Sequence, residues 1–245
     1  MLFQSSMGKT LLGIFATCFL LATILALALG FDLLVPTPDI PETLDFPGRL
    51  QALQPFRDAQ WPFDAVSTLL FVVGFGALAL VAGPIASLAG ADRRAGVLKS
   101  AIEASGLLGA TAGLLYVGAT QVTIALHYCD CGFTAEETIS QFWAITIVQG
   151  ATNWLSYGAI GFGAIGVGMS ALVLGDRGLP QMWRWISWSA AGLLILSIAL
   201  HEVSDTPAGD LIASVASGLL LPAWAVILAM RSDQIDPLSE AYRSA

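Results

Sequence analysis

Residues 158–174 carry no charge, and five of their first eleven positions are glycine: Gly158, Gly161, Gly163, Gly166 and Gly168. In water each such glycine costs a helix about 1 kcal/mol relative to alanine. Inside a bilayer the peptide groups have no water to bond, so the backbone closes on itself as helix, and small residues let neighbouring helices approach. The stretch fits one environment, a transmembrane helix against which other spans pack. Gly158, Gly161, Gly163 and Gly166 are the expected packing positions, together with the Gly109-x-x-x-Gly113 pair. The composition agrees, with 11% charged residues against about 25% in a soluble domain.

Six apolar runs, at about 11–34, 63–89, 101–126, 153–174, 184–200 and 211–230, suit crossings of about 20 residues at 1.5 Å each. The expected fold is all-α: a polytopic membrane protein, one integral membrane domain over residues 1–245, built as a six-helix transmembrane bundle. Ala26-Leu27-Ala28 resembles a signal-peptidase site, but the run before it exceeds the about 7–15 residues of a signal h-region, which favours an uncleaved first span.

Pro36, Pro38, Pro41, Pro47, Pro55 and Pro62 break regular structure, so residues 35–62 read as a proline-rich outer loop on the bundle rim. Residues 138–174 are too many for one upright crossing. Residues 138–149 read as an interfacial helix anchored by Trp143, with the fourth span starting near Asn153; a single tilted, protruding helix is the alternative. Pro84 and Pro222 predict kinks, and Trp183, Trp185 and Trp188 an interfacial aromatic belt.

Charge fixes an orientation. With Lys9 in the cytoplasm, one face of the bundle holds eight of the ten Lys and Arg with six acids, a net +2; the other holds Arg49 and Arg57 with twelve acids, a net −10. Cation retention on the cytoplasmic side governs short loops. The implied location is a cell inner (plasma) membrane, multi-pass, with both termini cytoplasmic. The cations are scattered in runs of no more than two, so nucleic acid is not an expected partner. The bilayer is, and other membrane subunits are compatible with it.

Chemistry-bearing residues are sparse. His127, Cys129, Cys131, His201, Glu202 and Asp205 fall at the outer ends of two spans. Imidazole, thiolate and carboxylate together suit zinc or copper if those ends converge. Oxidised cysteines with interfacial histidines are the alternative. Gln121, Gln149 and Asn153 in the outer half could line a pathway or bond between helices. Glu103 lies inside a span, one turn after Lys99, and pairing with that lysine explains it without transport. Gly161-x-Gly163-x-x-Gly166 matches a nucleotide fingerprint in letters only, since that motif needs a preceding strand.

The Glu103 region, Gly161 to Gly175, Gly178-Leu179-Pro180 and Leu220-Leu221-Pro222-Ala223-Trp224 together resemble a bacterial family of small six-span membrane proteins classed as a domain of unknown function. The resemblance implies a six-helix fold and no particular activity or cofactor. Few buried ionisable groups and many small residues point first to a non-catalytic accessory or structural membrane subunit. A small-molecule or ion transporter or channel is the second expectation, and a metal-dependent or redox membrane enzyme with an outer-face site the third. In a cysteine-free background on intact cells, an impermeant thiol reagent should label Asp130→Cys and spare Arg94→Cys; the opposite pattern would invert the orientation.

Overall fold

The computed structural model describes residues 6–41, 43, 46–90, 92–128, 135–203 and 208–235, and these are helical apart from short turns and one extended segment. The helices are α1 (Ser6–Gly30), α2 (Phe46–Leu88), α3 (Ala95–Tyr128), α4 (Ala135–Leu174), α5 (Gln181–Val203), α6 (Ala208–Val215) and α7 (Leu221–Arg231). A π-helical turn, Ala216–Leu220, joins α6 to α7. Six stretches are long and apolar enough to cross a membrane, the last running through α6, the π-turn and α7. The chain is a multi-pass helical membrane protein. Lys9 marks one end of the bundle and Asp210 the other.

Three helices are longer than a crossing needs. α2, α3 and α4 contain 43, 34 and 40 residues, or about 65, 51 and 60 Å, against about 40–45 Å for a bilayer with its headgroups. The up-and-down order puts their surplus at the Asp210 end. Two expectations are thereby corrected. α4 is one unbroken helix, not an interfacial helix followed by a separate span. The outer loop is shorter than its prolines imply, because α2 starts at Phe46 and runs through Pro55, Pro62 and Pro84. Pro55 and Pro62 are seven residues apart, close to two turns, and both are exposed. Their missing N–H groups and bulky rings share the outer side of the helix, where a bend displaces no packed neighbour.

α1 ends in a Schellman turn, with Asp32 at φ 55 donating from its N–H to Leu29 O, and Leu33 N–H bonding Ala28 O. This left-handed position usually takes glycine, and aspartate is among the residues that tolerate it.

The helices pack in chain order into a closed ring: α1 on α2, α2 on α3, α3 on α4, α4 on α5, α5 on the last span, and α7 back on α1. α3 is held most closely. A Cβ on Gly106 would lie 2.5 Å from Ala79 N and 2.6 Å from Phe75 O; on Gly109, 2.5 Å from the Phe75 ring; on Gly113, 2.5 Å from Val72 Cγ2. On the adjacent face of α3, a Cβ on Gly166 of α4 would meet Ile102 at 2.7 Å, on Gly163 Ser105 Oγ at 3.0 Å, and on Gly158 Leu108 at 3.2 Å. The small-residue face is thus used within the chain. Gly161 is the exception among the expected packing positions, since nothing lies within 4 Å of its Cβ site. Hydroxyls complete the seams: Ser105 donates to Ala159 O at 2.7 Å, and Ser67 to Ala22 O at 3.0 Å.

Gly106→Val would force side-chain atoms onto the α2 backbone. It should destabilise the folded protein by about 3 kcal/mol or more, read as a large loss of Tm in detergent. Gly118→Ala, at a site open to 4 Å, should leave Tm unchanged within a degree or two.

Candidate functional site

Because each helix touches mainly its neighbours in sequence, the ring does not collapse onto its axis. It encloses a chamber of about 990 Å³ to which every span contributes. Ligand pockets commonly run from about 300 to 1,000 Å³. The inner wall is aromatic: Phe19 packs edge-on to Phe71 and Phe75, with ring centres 5.2 and 4.9 Å apart, and lies 4.5 Å from Phe15. Asp210 is the one charged side chain among the described lining residues.

The floor, toward the Lys9 end, is closed by a bonded pair of tryptophans. Trp183 of α5 is fully buried and its indole N–H donates to Trp224 O at 3.0 Å. Trp224 of α7, stacked on Trp183 at 6.4 Å, donates to Ser170 Oγ at 3.1 Å, and Ser170 in turn donates to Val167 O at 2.6 Å. Three helices are tied with both indole N–H groups satisfied. The expected aromatic belt is corrected accordingly, since Trp183 belongs to this floor and only Trp185 and Trp188 face outward.

Below the floor the Lys9 end is laced by exposed ion pairs: Lys9–Asp233 at 2.5 Å, Arg94–Asp92 at 2.9 Å, and Arg184–Asp176. Hydrogen bonds from Arg94 hold the Asp92 carboxyl below its ordinary pKa. Arg177 caps the end of α2 by donating to Leu88 O at 3.4 Å. Such surface pairs contribute little each.

Among the described residues the opposite end is open, and the π-turn accounts for it. Pro222 has no N–H to bond the turn before it, and the helix takes the wider π pattern over Ala216–Leu220. The turn packs on both α1 and α5 and α7 mainly on α1, whereas α6 packs on α5. The last span therefore leaves α1 above the π-turn, and the chamber reaches outward between Ala26, Gly30 and Phe31 on one side and Ala208, Asp210 and Leu211 on the other. That gap lies toward the Asp210 end of the bundle.

Thr23 faces the π-turn across the chamber wall, where a Cβ on Gly218 would overlap its side chain. It is 5% exposed, and its hydroxyl has no hydrogen-bond partner. Other helical hydroxyls here back-bond the carbonyl four residues earlier: Thr111 to Leu107, Thr120 to Tyr116, Thr152 to Val148, Ser156 to Thr152. A buried polar group left unpaired costs about 1–3 kcal/mol.

The residues singled out by sequence fall elsewhere. Gln121 and Gln149 are exposed and absent from the chamber lining. Asn153 borders a second recess of about 190 Å³ with Tyr157, His201 and Asp210. His201 Nδ1 lies 3.6 Å from Asp210 Oδ1, and its ring packs against Tyr157 at 5.7 Å. Of the metal-type set, Cys129, Cys131 and Asp205 lie outside the described residues, and only the backbone of His127 and Glu202 is described. Among the described residues no three His, Cys, Asp or Glu side chains gather. The pairing expected of Glu103 does not form, as the described ion pairs do not join it to Lys99. A polar link that sequence reading missed joins α2 to α3: Tyr116 Oη donates to Asp64 Oδ2 at 2.6 Å.

Fold and site together define a class, the six-span helical membrane protein closed around an apolar chamber. No family model matches the sequence, and no curated protein or solved structure matches the chain.

Ser170→Ala strips the Trp224 indole N–H of its acceptor in a dry core. It should cost about 1–3 kcal/mol, visible as a lowered Tm in detergent, with Ser170→Thr retaining most of the stability.

Proposed function

We propose that this protein is a non-catalytic membrane protein that takes an apolar chain or small molecule out of the bilayer and holds it in the central chamber. One observation carries the proposal: the chamber is large, apolar and open at its side. Void volume lined by apolar side chains costs free energy because the lining atoms lose their contact partners, so a space of about 990 Å³ favours being filled. Apolar cavities stay dry, so water is a poor filler. The material adjoining the gap between α1 and α6 is lipid.

The lining argues against an ion route, which requires charged or carbonyl-rich walls. It offers no acid–base pair for catalysis, since Asp210 is the one ionisable group among its described residues. A carrier for an apolar molecule, with the π-turn as a movable joint, is the form of the transporter reading that fits; an accessory subunit that presents such a molecule to a partner in the same membrane fits equally well. The distribution of Lys and Arg supports an inner (plasma) membrane location with the Lys9 end cytoplasmic, which puts the gap toward the outer face. The resemblance to a six-span family of unknown function bears on the fold and leaves this reading unchanged.

Protein purified from native membranes in mild detergent should carry about one apolar molecule per chain, detected by solvent extraction and mass spectrometry. Ser214→Trp, which fills the chamber from its α6 wall, should lose it while keeping the helical CD spectrum. Equal recovery from both proteins, or none above bulk lipid from either, would overturn the proposal.

A further inference from the structure

We infer that the chamber's occupant is one acyl chain of a zwitterionic lipid whose head carries an ammonium group, bound with a linkage carbonyl on Thr23. The inference rests on the chamber reading above and adds the ligand's chemistry. Three features converge on it.

The first is depth. Thr23 lies seven residues before Gly30 at the mouth, or about 10 Å along α1, and Phe15 lies a further two turns or so toward the floor. A ligand reaching from the mouth to the aromatic wall passes the Thr23 side chain midway. An amphiphile with a polar head, a carbonyl linkage and an alkyl chain presents groups in that order.

The second is the unpaired hydroxyl. Thr23 is nine-tenths buried, lines the chamber and has no partner for its O–H. Rotation about χ1, which threonine has available in helices, turns that donor from Gly218 toward the chamber. An ester or amide carbonyl is the acceptor that a lipid chain brings to this depth.

The third is charge at the mouth. Asp210 of α6 lines the opening, with His201 Nδ1 3.6 Å from its carboxylate, and Asp32, in the turn after α1, follows the lining residue Phe31. Two carboxylates repel an anionic head and favour an ammonium group. The side gap lets the second chain of the lipid remain outside, against the bundle.

Delipidated protein in detergent is titrated with dioleoyl phosphatidylethanolamine or dioleoyl phosphatidylglycerol, and bound copies are counted by native mass spectrometry. The first copy of the ethanolamine lipid should bind about ten-fold more tightly than that of the glycerol lipid. Thr23→Val should weaken that first copy about five-fold and, having no orphan hydroxyl, raise the Tm of the lipid-free protein. Equal or tighter binding of the glycerol lipid, or a Thr23→Val variant that binds like the parent, would overturn the ligand assignment and leave the chamber intact. If no first copy stands out with either lipid, and Ser214→Trp changes nothing, the chamber reading itself fails.

Discussion

The close approach of α3 to both neighbours is the constraint from which the rest follows. Between helices in lipid there is no hydrophobic drive, so packing must come from contact and backbone proximity. Gly106, Gly109 and Gly113 bring α3 onto α2, while Gly158, Gly163 and Gly166 of α4 receive Leu108, Ser105 and Ile102 of α3. Because these contacts occupy adjacent rather than opposite faces of α3, the three helices form a curved wall and not a flat row. α1 and α5 extend the wall at its edges, and α7 closes it on α1.

A wall of that curvature has an interior that its own side chains do not fill. At the Lys9 end the Trp183–Trp224–Ser170 chain fills it with two indoles and satisfies their N–H groups. At the other end the π-turn sends α6 toward α5 and leaves the interior open. Stability and access are thus separated along one axis, with a rigid floor below and a side entrance above. The unpaired Thr23 hydroxyl sits between the two, where a rigid floor gives way to a span with a disrupted hydrogen-bond ladder.

Much of the fold was legible in the sequence because lipid imposes its rule residue by residue. Six apolar runs became six spans, and Gly109, Gly113 and Gly166 pack where small residues were expected to. The misreadings have physical causes. Proline is a loop signal in sequence, but at Pro55 and Pro62 the helix absorbs prolines that share an exposed side. The length limit on one crossing was applied to α4, yet a helix supported by α3 continues past the membrane. Trp183 carries the same letters as its belt neighbours, and only its partner Trp224, 41 residues away, makes it core. The chamber was not legible at all. Phe15, Phe19 and Thr23 sit in an apolar run whose members look alike until the ring places them on one side, whereas histidine, cysteine and glutamine at the span ends stand out by their chemistry. The coincidence of Gly218, Pro222 and a helical threonine was the available signal, and it needs the α1–α7 contact to be read.

Cryo-electron microscopy of the protein in lipid nanodiscs tests the central claim most directly. Elongated density should fill the ring from the α1–α6 gap down to Phe15 and Trp224, with the helices in the arrangement described. A ring closed by contact between α1 and α4 across its axis, leaving no room for a chain, would contradict it.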